Sequence, residues 1–358
     1  MTQRRLLLVI ISLCFFLTGC VEKEILDDIN LVTGAGFDLT DDGKIRGSAV
    51  INTYLKDQPV ADYVLTDESE LTRDILSNLQ KKSPDPLVLG KIDIVLFGEG
   101  LGKRGITELV DTLQRDASIG ARLLLAVTRG DAKDVLDGEF ANQGASRYIS
   151  NLILHNKLNQ DLPRTNLHLF LYQYYSKGQD MFLPIVKKNE ENGAVEIDGL
   201  ALFDHKKVVG EIPNDKLLFF KVLTDQYTKG AYKLKLEDGE AAGIKSIESS
   251  MKLNVVSTEP LKVQLEVYLE GYIHEYTGKK ITPEVTDKVE KTFEKEMKTE
   301  TEALIEYFKE LTIDPIGIGE EIRSQSRSFK LDNWRERIPE LTVEIIPEVI
   351  ISESGVID

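Results

Sequence analysis

The clearest alternation of apolar and polar positions lies between residues 261 and 269. Leu261, Val263, Leu265, Val267 and Leu269 alternate with Lys262, Gln264, Glu266 and Tyr268, the pattern of a half-buried strand. Residues 251 to 257 predict a shorter partner strand. The period then changes. Val285, Val289, Phe293, Met297, Leu304, Phe308 and Leu311 recur at helical spacing, with Lys and Glu between them. Thr282-Pro283 supplies a cap followed by a proline at the first turn, where its missing N–H costs nothing. This predicts one long amphipathic helix covering the sheet of its own domain, stopped by Pro315. Leu341 to Ile351 predicts a final strand whose Pro347 marks it as an edge or bulged strand.

The first half alternates strand and helix after an opening hairpin. Ile29 to Leu39 and Lys44 to Leu55 are rich in β-branched residues, and Asp41-Asp42-Gly43 supplies the turn between them. Asp67 or Ser69 is placed to cap a helix carrying Leu71, Ile75, Leu76 and Leu79, which Pro84 and Pro86 terminate. Lys91 to Phe97 reads as a strand, Ile106 to Leu113 as a helix, and Ala121 to Thr128 as an apolar strand. A short helix follows, capped by Asp131. Residues 145 to 177 are helical with a break at Pro163. Phe182 to Val186 and Ala194 to Phe203 read as strands, with a turn at Asp204-His205-Lys206-Lys207 before Val208-Val209. The polar loop Asn189-Glu190-Glu191-Asn192-Gly193 is the best boundary between domains. The expected fold class is α+β. Two mixed α/β regions, residues 29–190 (with room for two subdomains) and 194–358, make it up, the second an antiparallel sheet under the long helix.

The N-terminus changes the picture of where this body resides. Arg4-Arg5, an apolar run from Leu6 to Leu17 and small residues before Cys20 have the layout of an export signal. A run this short covers only about 18 Å of the roughly 30 Å hydrocarbon core, so it does not serve as a permanent span. Leu17-Thr18-Gly19-Cys20 resembles the bacterial lipobox, whose cysteine is acylated and becomes the first mature residue. Residues 1–19 are then removed, Cys20 carries S-diacylglycerol and an N-acyl chain, and residues 20–28 form a short polar tether. The other cysteine, Cys14, leaves with the signal, so the mature chain has no disulfide. Several acyl chains on one residue give stable anchoring where a single chain does not.

The formal charge is −16, and the removed segment carries Arg4 and Arg5 and no acid. Such a chain is repelled by nucleic acid, and only isolated pairs such as Lys187-Lys188 interrupt the acidity. Gly100-Leu101-Gly102-Lys103-Arg104-Gly105 matches GxGxxG between a predicted strand and helix. Its glycines start two residues late for the tight turn, and apolar Leu123 to Val127 stand where the ribose-binding acid is required. His155, His168, His205 and His274 are scattered without ligand spacing, so no metal site is expected, and no GxSxG elbow occurs. No cofactor and no catalytic residue is predicted. Asp314-Pro315-Ile316-Gly317-Ile318-Gly319 reads equally as a ligand loop or as a helix stop followed by a turn.

Several features coincide in order: Cys20 with an acidic segment behind it; Asn30 to Asp38; Asp198-Gly199-Leu200-Ala201-Leu202-Phe203 followed by Val208-Val209-Gly210; the long helix ending in Asp314 to Gly319; and the late Trp334. Together they resemble the Ger(x)C family, the lipoprotein C subunit of nutrient germinant receptors in endospore-forming bacteria. Val21 departs from the tryptophan expected after the lipid cysteine. The resemblance implies a non-enzymatic subunit on the outer face of the spore inner membrane. It would work with two integral membrane subunits, of A and B type, to which nutrient recognition is ascribed. Two other classes remain open on the residues alone: a lipid-anchored solute-binding protein with two similar lobes, and an envelope nucleotide-binding enzyme using Gly100 to Gly105.

Overall fold

A computed structural model describes residues 28–53, 61–138, 140, 143–226, 229–326 and 329–352. Cys20, its signal segment and most of the tether lie outside the described residues.

The chain opens with the hairpin β1 (Asn30–Leu39) and β2 (Ile45–Thr53), and β3 (Ala61–Ser69) adds a third antiparallel strand. The β3 strand escapes the apolar pattern because it is a sheet edge rich in Asp, Glu and Ser. Helix α1 (Thr72–Lys82) follows, burying Ile75 and Leu79. Its expected caps act differently: Asp67 belongs to β3, and Ser69 accepts a hydrogen bond from the Leu71 N–H without capping the helix. After the two-residue β4 (Leu87–Val88), β5 (Ile94–Phe97) pairs parallel with β1. Helices α2 (Glu99–Arg104) and α3 (Thr107–Arg115) lead to β6 (Leu124–Thr128), parallel to β5. Helices α4 (Ala132–Leu136), α5 (Ala145–Asn159) and α6 (Leu167–Tyr175) then connect to β7 (Phe182–Lys188), again parallel. The expected break at Pro163 falls between α5 and α6.

β8 (Val195–Phe203) and β9 (Val208–Ile212) return antiparallel and complete a nine-stranded sheet in the order β3-β2-β1-β5-β6-β7-β8-β9, with β4 beside β1. The polar loop 189–193 is therefore the turn of a hairpin between β7 and β8. Asn189 N–H donates to Ala194 carbonyl at 2.7 Å, and Gly193 takes φ +70°. A hairpin turn and a linker share the same polar, glycine-bearing composition, and here the sheet continues across it. Parallel strands buried on both sides read as continuous apolar runs, and β5 and β6 are entirely buried. Val95 and Phe97 face the layer of α1, α2, α3 and α6, while Ile94 and Leu96 face α4 and α5.

Helix α7 (Leu217–Thr224), buried from Leu217 to Leu223, passes from the first sheet to the second. β10 (Ala231–Lys235), β11 (Ala241–Thr258) and β12 (Leu261–Tyr276) form an antiparallel meander. Every second residue of β12 from Leu261 to Ile273 is buried, as its alternation predicts. Helix α8 (Pro283–Leu311) covers that face, with the Thr282 hydroxyl accepting from the Val285 N–H and with Val289, Phe293, Met297, Leu304 and Phe308 buried. It ends three residues before Pro315, at Thr312 in the left-handed conformation.

One departure from an all-antiparallel second sheet is β13 (Thr342–Ser352), which joins β12 in parallel. A helix of 29 residues, about 44 Å long, carries the chain back to the end of the sheet at which β12 began, so the next strand enters in the same direction. β13 is the edge strand that Pro347 predicts. Pro347 lies in one row with Val349 and Ile351, whose N–H groups donate to Glu294 and Glu290 of α8 at 3.2 and 2.8 Å. The position without an N–H therefore falls on the unpaired side. One apolar cluster runs without interruption from β5 and β6 through α7 to β12 and α8, so the two sheets share a core.

Candidate functional site

Residues 314–319, left open by the sequence as ligand loop or helix stop, form the centre of a polar junction between the halves. After α8 ends, Ile313 N–H returns to Phe308 carbonyl and Asp314 turns inward. Its carboxylate accepts from the N–H groups of Gly317, Ile318 and Gly319 at 2.8, 2.9 and 2.8 Å, and from the Trp334 indole N–H at 3.2 Å. Asp314 thus serves the first turn of helix α9 (Ile318–Gln325), whose own N-cap, Gly317, has no side chain to do so. Trp334, which opens the short helix α10 (Trp334–Arg337), is buried against it.

The N-terminal half meets this loop with the segment that follows α6. Asp180 N–H donates to Asp314 carbonyl at 2.8 Å, and Asp314 N–H donates to the Asp180 carboxylate at 2.7 Å. Arg335 pairs with the other Asp180 oxygen, and His205 Nε2 stands 3.8 Å from that atom. Glu320 of α9 accepts from the Ser176 hydroxyl at 2.5 Å and from Gly178 N–H at 3.1 Å, while its own N–H donates to Gly178 carbonyl at 3.2 Å. Gln179 Nε2 reaches Pro315 carbonyl at 3.4 Å. The backbones touch at Gly178 and Gly319: a Cβ on Gly178 would stand 2.6 Å from the Glu320 nitrogen, and one on Gly319 would stand 2.9 Å from Gly178 Cα. Both positions need glycine for close approach.

The electrostatics are those of a buried contact. Burial pushes the Asp314 carboxyl up to about 7, against the pull of the three backbone donors. Burial also raises Asp180, with Arg335 the main opposing influence, and lowers His205, where Asp180 opposes. Glu320 is held below the ordinary carboxylate range: burial works against ionisation there, and the bonds from Ser176, Arg323 and Gly178 outweigh it. Every oxygen of Asp314 is engaged by donors of its own chain, so its chemistry is that of a fastener.

The glycine motif resolves differently. Gly100 and Gly102 lie inside α2, and Gly105 terminates it. The crevice at the carboxyl ends of β1, β5 and β6, where an α/β sheet takes its ligands, is filled by Asp38. That buried carboxylate accepts from Ala132 and Lys133 N–H at 2.6 and 3.0 Å, serving the start of α4 in place of the expected Asp131 side chain. A phosphate would meet a carboxylate there. Asp198 of the Asp198-to-Phe203 run pairs with Arg129 at 2.7 Å, and Arg129 holds Glu211 through two bonds of 2.9 and 2.6 Å. Among the described residues no group of three or more His, Cys, Asp or Glu side chains is placed to hold a metal.

Of the junction, the sequence singles out the Asp314 loop and Trp334. Asp180, Gly178 and Arg335 carry no local pattern that marks them, and His205 only its place in the turn from Asp204 to Lys207, since their partners are far away in the chain.

Comparison with known proteins follows this architecture. Residues 22–188 match the family model described as spore germination protein N-terminal domain. Residues 198–355 match the model described as spore germination B3/GerAC like, C-terminal. The two models meet at the β7–β8 hairpin. The chain is similar to the spore germination protein GerQC of Bacillus cereus, 30% identical over 360 residues and 99% of each chain. It is also similar to the putative spore germination protein YfkR of Bacillus subtilis strain 168, 21% identical over 96% of this chain and 95% of the other. The crystal structure of the GerBC protein shares its fold, with a TM-score of 0.60 at 17% identity over 89% of this chain and 96% of that one. With both models matched in order and a relative 30% identical over nearly its whole length, the protein belongs to the Ger(x)C family of spore germination proteins.

Proposed function

We propose that this protein is a non-enzymatic, lipid-anchored subunit of a nutrient germinant receptor. Cys20 fixes it to the outer face of the spore inner membrane, where it assembles with two integral membrane subunits. The observation that carries this reading is the end-to-end match to a spore germination protein through both family models. The export signal and lipobox supply the attachment. Among the described residues no helix is long and apolar enough to cross a membrane.

The tether keeps the body close to the membrane. The chain from Cys20 to Asn30 reaches at most about 35 Å. Asn30 is tied at the start of β1, where its N–H donates to Pro86 carbonyl at 2.9 Å and its side chain to Ser83 at 2.8 Å. The edge of the sheet holding the N-terminal ends of β1 and β5 is therefore the part of the body nearest the point of attachment. A solute-binding protein requires lobes that open about a hinge, whereas the halves here are fastened by the Asp180–Asp314 junction and a shared core.

Replacing Cys20 by Ala tests the anchor. Spores carrying the variant are expected to hold the folded protein in the soluble fraction and to lose the nutrient response. Membrane retention with normal germination contradicts the reading.

A further inference from the structure

Beside the junction, on the N-terminal half, lies a groove of about 770 Å³. Its size is that of a small-molecule site. Arg104, Lys177 and Lys206 line it against one carboxylate, Glu108, in a chain whose formal charge is −16. Among the described residues Lys206 is exposed and has no ion-pair partner.

The groove is built. The loop that presents Lys206 is closed by Asp204, whose carboxylate accepts from the N–H groups of Lys206 and Lys207 at 3.1 and 3.0 Å. His205 within it takes φ +74°, a left-handed conformation that a non-glycine residue holds only at a cost of about 1 kcal/mol or more. Lys206 carbonyl accepts from Ile106 N–H at 3.3 Å and lies against Gly105, where a Cβ would stand 3.0 Å from it. The loop is thereby pinned to the start of α3, whose first turn lines the groove without a side-chain cap. Uncapped N–H groups and the positive helix end favour an anion. The lining is also aromatic: Tyr174 meets the His205 ring edge-on at 6.4 Å and packs on Tyr175 at 5.0 Å.

We propose that this groove binds a small organic anion, a carboxylate or phosphate on a flat apolar body. Lys206, Arg104 and the first turn of α3 take the charge, and Tyr174 and Tyr175 take the body. His205 belongs both to the groove and, through Asp180, to the junction, so occupancy reaches the buried Trp334. A solute is favoured over a lipid headgroup, since the groove lies at the end of the sheet away from the tether. Arg104 donates to Gly43 carbonyl at 2.7 Å, which places the groove at the hairpin end of β1, ten residues from Asn30 and so about 30 Å away. That last point rests on the proposed anchor; the chemistry of the ligand does not.

The test is calorimetric titration of the full chain, reconstituted on phosphatidylcholine vesicles, with phenyl phosphate, inorganic phosphate and benzyl alcohol. Phenyl phosphate is expected to bind saturably, at least tenfold more tightly than either fragment, and to shift the emission of Trp334, the only tryptophan. Lys206→Glu is expected to weaken binding at least tenfold with an unchanged thermal midpoint, and Lys235→Glu, on β10, to leave it unchanged. Equal binding in K206E, or inorganic phosphate binding as tightly as phenyl phosphate, overturns the assignment. So does attachment to phosphatidylglycerol vesicles that is lost in K206E yet not displaced by phenyl phosphate, which marks a lipid surface instead. Binding that leaves Trp334 emission unchanged overturns the link to the junction. None of these failures touches membrane fractionation of the Cys20 variant, which tests the receptor reading separately.

Discussion

Asp180 and Asp314 bind each other reciprocally, Asp180 N–H to Asp314 carbonyl at 2.8 Å and Asp314 N–H to the Asp180 side-chain carboxylate at 2.7 Å. They stand 134 residues apart in the chain and join the end of α6 to the end of α8. Asp314→Asn replaces an acceptor oxygen with an NH₂ group facing backbone donors. Leaving buried donors opposed costs about 1 to 3 kcal/mol, so a lower denaturation midpoint is expected with the fold retained. An unchanged midpoint removes Asp314 as a fastener.

The same residue sets a pH dependence. A carboxyl raised from 3.8 to about 7 holds its proton longer in the folded state than in the unfolded one. Its contribution to stability is full below about pH 4 and is lost as pH rises through 7. Asp180, also raised, acts in the same direction; His205, lowered, acts oppositely, losing stability as pH falls. Arg335 and Asp204 complete the charges facing them. Comparison with Asp314→Asn isolates the one group: the stability gap between wild type and variant is expected to be widest near pH 4 and to shrink as pH rises to 7 and above. A gap that widens with pH contradicts the assignment.

Arg335 answers the Asp180 carboxylate, whose side chain is only 4% exposed. Arg335→Ala leaves a buried charge without its cation, an effect of about 3 kcal/mol. The expected signature is a lower unfolding midpoint together with red-shifted Trp334 emission, since Arg335 follows Trp334 directly. In the Asp180→Asn background the penalty is expected to fall sharply; full additivity of the two substitutions contradicts direct pairing.

Gly178 is the narrowest point of the junction. Gly178→Ala drives a Cβ to 2.6 Å from the Glu320 nitrogen and 2.7 Å from the Gly319 carbonyl carbon, neither of which can yield as a side chain would. Limited proteolysis is expected to cut the variant faster than wild type between α6 and β7. Equal protection argues against tight apposition.

Most elements were legible because their periods are unambiguous: β12 alternates over its whole buried row, and Thr282-Pro283 announces α8 at its first turn. Three features were not. β3 is a half-buried edge strand carrying Asp62, Asp67, Glu68 and Ser69, so its apolar period is weak. The parallel entry of β13 follows from the direction in which α8 returns the chain, a tertiary fact. The loop 189–193 has the composition of a linker but joins two strands of one sheet. At the junction, the local half was readable in the Asp314 to Gly319 turn, while Asp180, His205 and Arg335 meet only through folding. Asp38 shows the same limit, displacing Asp131 as the cap of α4 from 94 residues away.

Assembly at the spore membrane is tested most directly by purifying the tagged chain from detergent-solubilised spore membranes and identifying what accompanies it. The chain is expected in the membrane fraction, acylated at Cys20, together with two polytopic membrane proteins in constant ratio. Recovery from the soluble fraction, unacylated and without such partners, would contradict it.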